Sequence, residues 1–215
     1  MSEKKLDYTV IKVGLLGDSQ VGKTAICNAF LGLEFNPDQL STIGIEKLEK
    51  KITLKNGKEI RLILWDTAGE ERFRSAALKA VRSAQGVAVV FDVTKKETFQ
   101  SISNWMEQIK DNFKNPSVVL FGNKVDIEEA QWEKTRKEIK QYVQSNNFTY
   151  FETSAKTKQG INEGFTFLAN EIYDKLKVKD DDNIHIEDNK EDDYEIVNGC
   201  FGKKKRIKKK KKNVK

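Results

Sequence analysis

The chain has 215 residues, 33% of them charged and 38% apolar, with a formal net charge of +6. That length holds one buried core and a tail. A single histidine, His185, and two distant cysteines, Cys27 and Cys200, exclude whole classes of chemistry. A Ser-His-Asp or Cys-His hydrolase needs a histidine inside the fold, and a His/Cys zinc site needs more ligands than these. The two cysteines argue against a disulfide scaffold and for a reducing, intracellular compartment. No apolar run approaches the roughly 18 residues that span a bilayer. The charged start, Met1–Tyr8, is unlike a signal peptide.

The charge is unevenly placed. Residues 180–195 hold nine acids and one lysine, and residues 203–215 hold ten bases and no acid. The basic balance therefore belongs to a tail, and no nucleic-acid partner is expected for the folded domain.

In chain order, Val10–Gly17 reads as a buried strand and Gly22–Leu33 as a helix. Ile45–Leu54 and Glu59–Asp66 read as strands joined at Lys55-Asn56-Gly57-Lys58, a hairpin signal. Val87–Val93 and Ser117–Gly122 are continuous apolar strands, as in a sheet covered on both faces. Between them, Phe99, Ile102, Trp105, Met106, Ile109 and Phe113 keep helical spacing. Trp132, Ile139 and Val143 mark another helix, and Phe148–Glu152 a last short strand. Ile161, Phe165, Leu168, Ile172 and Leu176 stripe a final helix. This alternation predicts an α/β fold: a six-stranded, mostly parallel sheet with one antiparallel edge strand and helices on both faces. Three segments follow: an N-terminal extension (1–8), a domain (9–177) and a disordered tail (178–215), acidic and then polybasic.

Ligands in such sheets bind beyond the carboxyl ends of the strands. After the first strand stands Gly17-Asp18-Ser19-Gln20-Val21-Gly22-Lys23-Thr24, which fits G-x-x-x-x-G-K-[ST] between strand and helix. Its amides, from Ser19 through Gln20, Val21 and Gly22 to Ala25, suit phosphate oxygens. Lys23 reaches the β- and γ-phosphates, and the Thr24 hydroxyl ligates Mg²⁺. After the third strand, Asp66 is placed to hold Mg²⁺ through water, and the Gly69 amide to sense a γ-phosphate. After the fifth and sixth strands come Asn123-Lys124-Val125-Asp126 and Thr153-Ser154-Ala155-Lys156. Asn123 and Asp126 also read as ordinary loop caps. As a base site, the Asp126 carboxylate accepts the N1 and N2 hydrogens of guanine, a pair adenine lacks.

The order GDSQVGKT, STIGIE, WDTAGEERF, NKVD and ETSAK resembles the nucleotide-binding motifs of the Ras superfamily of small GTPases. RFRS at Arg72–Ser75 and FDVT at Phe91–Thr94 resemble its Rab branch. The likeness covers about residues 9–177. It implies a P-loop small G domain that binds GTP or GDP with Mg²⁺ and hydrolyses GTP, acting as a switch in vesicle traffic. It implies partners that read the switch segments: an exchange factor, an activating protein and effectors. It implies that Thr42 closes on Mg²⁺ and γ-phosphate and that Phe35 lies against the base. Lys124 would pack along the base, with Ser154, Ala155 and Lys156 completing the base loop. The implied catalytic groups are Lys23, Thr42 and the residue after Gly69.

That residue is glutamine in the family and Glu70 here. An ionised glutamate only accepts hydrogen bonds, whereas glutamine orients the attacking water. Hydrolysis is therefore expected to be altered or slow, and the alternative is a GTP-held binding module with little turnover. A third reading, an enzyme of another nucleoside triphosphate, is opposed by Asn123 and Asp126.

An aromatic trio through which Rabs meet effectors corresponds here to Lys47, Trp65 and Ala80, so ordinary effectors are expected to bind poorly. A common switch tyrosine is replaced by Gln39. The family's C-terminal prenylation cysteines are missing, and Ser2 excludes N-myristoylation.

Three readings of the tail stand open. Lys203–Lys212 attracts anionic lipid, with Cys200 as an acylation site. Alternatively the run is a nuclear-import or nucleic-acid patch, or the acidic half folds back on the basic half. The first implies a cytoplasmic protein peripheral on an endomembrane; the second implies the nucleus.

Overall fold

The computed structural model describes residues 9–69, 74–181, 194–198 and 204–208. Glu70, the N-terminal extension 1–8, Cys200 and the bases from Lys209 onward lie outside these residues. Two units are distinguished, residues 1–177 and 178–215.

In the first unit, six strands form one sheet. They are β1 (Thr9–Leu16), β2 (Ile45–Thr53), β3 (Glu59–Thr67), β4 (Gly86–Asp92), β5 (Ser117–Asn123) and β6 (Thr149–Glu152). The order is β2-β3-β1-β4-β5-β6. The β2–β3 pair is antiparallel and every other pair is parallel. The helices are α1 (Lys23–Leu31), α2 (Arg74–Val81), α3 (Lys96–Gln100), α4 (Ile102–Asn112), α5 (Glu133–Asn146) and α6 (Ile161–Asp181). This is the predicted architecture, with the antiparallel strand at the edge.

The two-residue period of the strands sorts their side chains into two cores. Ile11, Val13 and Leu15 of β1, with Ala88 and Val90 of β4, pack with Ile26 and Phe30 of α1 and Phe165 and Leu168 of α6. Val87, Val89 and Phe91 of β4 face the other way, onto Val81 of α2, Trp105 of α4 and Ile139 of α5. Each fully buried side chain of this size contributes roughly 1.5–3 kcal/mol. Because α1 leaves β1 toward one face and α2 leaves β3 toward the other, a crevice opens at the strands' carboxyl ends.

The hairpin forms through a three-residue loop. The Gly57 amide donates to the Leu54 carbonyl and the Leu54 amide to the Lys58 carbonyl, both at 2.9 Å. Gly57 takes φ 79° there, the left-handed position that a turn followed by a bulge requires. The register sets Ile45 opposite Thr67 and Lys47 opposite Trp65.

Three elements differ from the sequence expectation. Helix α2 has no counterpart in the predicted elements, because its short run, Arg-Ser-Ala-Ala-Leu-Lys-Ala-Val, carries few large apolar residues. It is held by burial of Ala77, Leu78 and Val81. The helix predicted through Phe99–Phe113 divides into α3 and α4 at Ser101. There the Ser101 hydroxyl and amide both donate to the Glu97 carbonyl, each at 3.1 Å, a local competitor for the helical bond. Helix α6 runs to Asp181, past the last apolar residue of its stripe.

In the second unit, β7 (Tyr194–Asn198) and β8 (Lys204–Lys208) pair antiparallel, with Tyr194 opposite Lys208 and Asn198 opposite Lys204. Within the stretch 182–215 these two strands are the described residues. Ile196, Val197 and Ile207 supply the β-branched residues that favour strands.

Candidate functional site

The loop between β1 and α1 turns at two glycines. A Cβ on Gly17 would strike the Val90 carbonyl, and one on Gly22 would strike the Asn123 amide. Gly22 also holds φ 96° as the residue before α1, so the loop wraps tightly against β4 and β5. Inside it, Lys23 is 5% exposed. Its ammonium donates to the carbonyls of Gly17 at 2.9 Å and Asp18 at 2.7 Å. Burial lowers its pKa to about 8, opposed by the charges of Asp66 and Asp18. An anion placed beside so desolvated an ammonium favours its charged form.

Asp66, next to last in β3, is fully buried. Its Oδ2 accepts from Thr24 Oγ1 at 2.6 Å and from Thr42 Oγ1 at 3.4 Å, and the two hydroxyls lie 2.5 Å apart. Its Oδ1 is buried without a hydrogen-bond partner. Burial raises the Asp66 pKa, opposed by the Thr24 hydrogen bond and the Lys23 charge. One carboxylate and two hydroxyls, with a spare carboxylate oxygen, are the hard oxygen donors that suit Mg²⁺. Thr24, Thr42 and Asp66 come from α1, the loop before β2 and the end of β3. The structure thus brings together the three predicted metal residues.

The cavity above them has a volume of about 390 Å³. Ser19, Gln20, Gly22, Lys23, Thr24, Ala25, Phe35, Thr42, Gly69 and Lys124 line it, as do Asn36, Pro37, Gln39, Leu40 and Ser41 of the loop before β2. Phe35 is 40% exposed, Leu40 89% and Ile43 93%, so this loop presents apolar side chains to solvent. Val21 is buried beneath the loop rather than lining the cavity.

Asn123 is buried at the end of β5. Its Nδ2 donates to the Val21 carbonyl at 2.9 Å, and its Oδ1 accepts from the Ala155 amide at 3.2 Å. Asp126 accepts from the Ser154 hydroxyl at 2.7 Å. Lys124 donates to the Gln20 carbonyl at 2.9 Å. Lys156 is exposed on the loop after β6. That loop is anchored by Arg136 of α5, whose guanidinium meets both oxygens of Glu152 at 2.9 Å.

A sequence model of the Ras family matches residues 12–174. The chain belongs to the Ras family. It is 38% identical over 164 residues to Ras-related protein Rab-13 of Rattus norvegicus, covering 76% of this chain and 80% of that protein. It is 36% identical over 176 residues to Ras-related protein RABA4b of Arabidopsis thaliana, with 81% and 77% covered. It is 36% identical over 188 residues to Ras-related protein Rab-27B of Homo sapiens, with 82% and 85% covered. This is a Rab-like small GTPase switch, of a family that binds guanine nucleotides with Mg²⁺.

The residues set against the Rab aromatic trio lie on β2, β3 and α2. Lys47 of β2 is exposed, its Cα partner Trp65 is half-buried, and Ala80 of α2 is half-buried. Two site contacts escaped the sequence reading. Trp105, assigned to the core stripe of α4, donates from Nε1 to Asp18 Oδ1 at 2.9 Å. Asp92 ends β4, and the rule of looking past each strand end points to it as well. Among the described residues no helix is long and apolar enough to cross a membrane.

Proposed function

We propose that this chain binds GTP and GDP with Mg²⁺, hydrolyses GTP, and serves membrane traffic as a nucleotide-dependent switch. The observation that carries the reading is the meeting of Thr24, Thr42 and Asp66 beside buried Lys23. Lys23 and the loop amides hold the phosphates. Thr24 and Asp66 hold the cation, and Thr42 brings the loop before β2 to the same point. When bound, Mg²⁺ neutralises charge developing on the phosphate oxygens. Asp126, steadied by Ser154, accepts from the guanine edge, while Asn123 ties the base loop to the phosphate loop. Loss of the γ-phosphate removes a ligand for Thr42 and Gly69, releasing the segments they belong to.

Glu70 follows Gly69 in place of the family's glutamine, and on this reading turnover is slow. Single-turnover hydrolysis of bound GTP, native beside Glu70→Gln, tests it, with ATP as competitor in the binding arm. Faster turnover in the variant is expected. Equal competition by ATP sinks the guanine assignment. If neither protein hydrolyses GTP while both bind it, the chain is a GTP-held binding module.

Nine bases between Lys203 and Lys212 support a second contact, with anionic lipid, each base worth about 1 kcal/mol near such a surface. Deleting residues 203–215 should abolish binding to phosphatidylserine vesicles, and unchanged binding would refute the contact.

A further inference from the structure

We infer that Asp92 is a positioning residue for the guanine site, acting through Lys124. The inference rests on the nucleotide reading above and adds a residue to it. Asp92 closes β4 and is 1% exposed. Its two oxygens are divided between two tasks. Oδ1 accepts from the Thr94 amide at 3.0 Å and from the Thr94 hydroxyl at 2.6 Å, which locks the carboxylate in place. Oδ2 lies 2.7 Å from Lys124 Nζ. The same ammonium donates to the Gln20 carbonyl at 2.9 Å and lines the cavity.

Lys124 therefore bridges a buried carboxylate at the end of β4 and the backbone of the phosphate loop. Both of its ends are constrained: Lys124 holds φ 72° and Gln20 holds φ 62°, left-handed conformations that non-glycine residues keep only when their surroundings impose them. Backbone bonds tie the same corner, the Val93 amide donating to the Asn123 carbonyl at 3.1 Å and the Val125 amide to the Thr153 carbonyl at 3.2 Å. A lysine on a flexible four-carbon stem has many rotamers. Asp92 selects the one that lays the stem along the cavity wall, where a base would rest. With the carboxylate gone, Lys124 keeps its bond to the Gln20 carbonyl but loses the charge that fixes its stem along the cavity wall.

The test is affinity for GDP and for inorganic triphosphate, by calorimetry on the full chain. It compares native protein, Asp92→Asn, Lys124→Met and the double variant. Asp92→Asn should weaken GDP by roughly 10- to 100-fold, of the order expected when a close charge pair loses one charge, and leave triphosphate within about twofold. In the Lys124→Met background the same substitution should have no further cost, because the carboxylate acts through the lysine. Equal losses in both backgrounds, or equal losses for GDP and triphosphate, would show a merely structural residue and overturn the inference. So would an unchanged GDP affinity. Should Asp92→Asn fail to fold, Thr94→Val, which removes one donor to Oδ1, should weaken GDP in the same selective way, and no selective loss overturns the inference. A native chain that binds triphosphate but not GDP would instead defeat the guanine reading on which this stands.

Discussion

Asn123 joins the loop after β1 to the loop after β6: one end of its amide donates to the Val21 carbonyl at 2.9 Å, and the other accepts from the Ala155 amide at 3.2 Å. The two loops are thereby held by a single buried side chain. Asn123→Ala strands both backbone groups, at about 1–3 kcal/mol for each group left unsatisfied. Urea unfolding should show a lower midpoint at unchanged slope, and GDP should dissociate faster. A stable variant with native GDP release would mean the bridge does not hold the site.

Asp66 has a buried oxygen without a partner beside two threonine hydroxyls. In the native protein Mg²⁺ should tighten GDP, and chelation with EDTA should speed its release. Asp66→Ala should remove most of this Mg²⁺ dependence while GDP binding in EDTA changes little. A variant whose GDP affinity still rises with Mg²⁺ as in the native chain would place the cation elsewhere.

Lys23 predicts a pH signature. Burial holds its folded pKa at about 8, below the ordinary 10.5. Between those values the unfolded chain binds the extra proton, so the burden on the nucleotide-free fold is greatest below pH 8 and fades as pH rises toward 10.5. A bound phosphate restores the charge. GDP binding should therefore take up nearly one proton at pH 9 and only a small part of one at pH 7.5, where the free phosphate is also ionised, read from calorimetry in buffers of different ionisation enthalpy. Binding heats independent of buffer at pH 9 would contradict this.

Gly14 lies under α2, where an added Cβ would sit 2.8 Å from Val81 Cβ. Gly14→Ala should push α2 off β1 and destabilise the domain by about 1–3 kcal/mol, the usual range for overpacking. A thermal unfolding midpoint equal to that of the native protein would show that α2 yields freely.

Much of this molecule is written in local sequence. The phosphate loop is legible because Gly17 and Gly22 flank a stretch whose backbone must curl, and because Lys23 and Thr24 sit at the one spacing that opens a helix on it. The β2–β3 hairpin is legible because Gly57 can take the left-handed position that closes the loop. The order of the motifs followed from strand alternation, since each motif stands just past a strand end. Helix α2 was not legible, because Ala77, Leu78 and Val81 become a packing face only when Gly14 leaves room for it. Nor were the contacts of Asp92 with Lys124 or of Trp105 with Asp18, whose partners are separated by dozens of residues. Short-range backbone preference and spacing are enough to point to candidate groups along the chain. Only the tertiary structure decided which of them touch, because side chains distant along the chain meet where parallel strands end side by side.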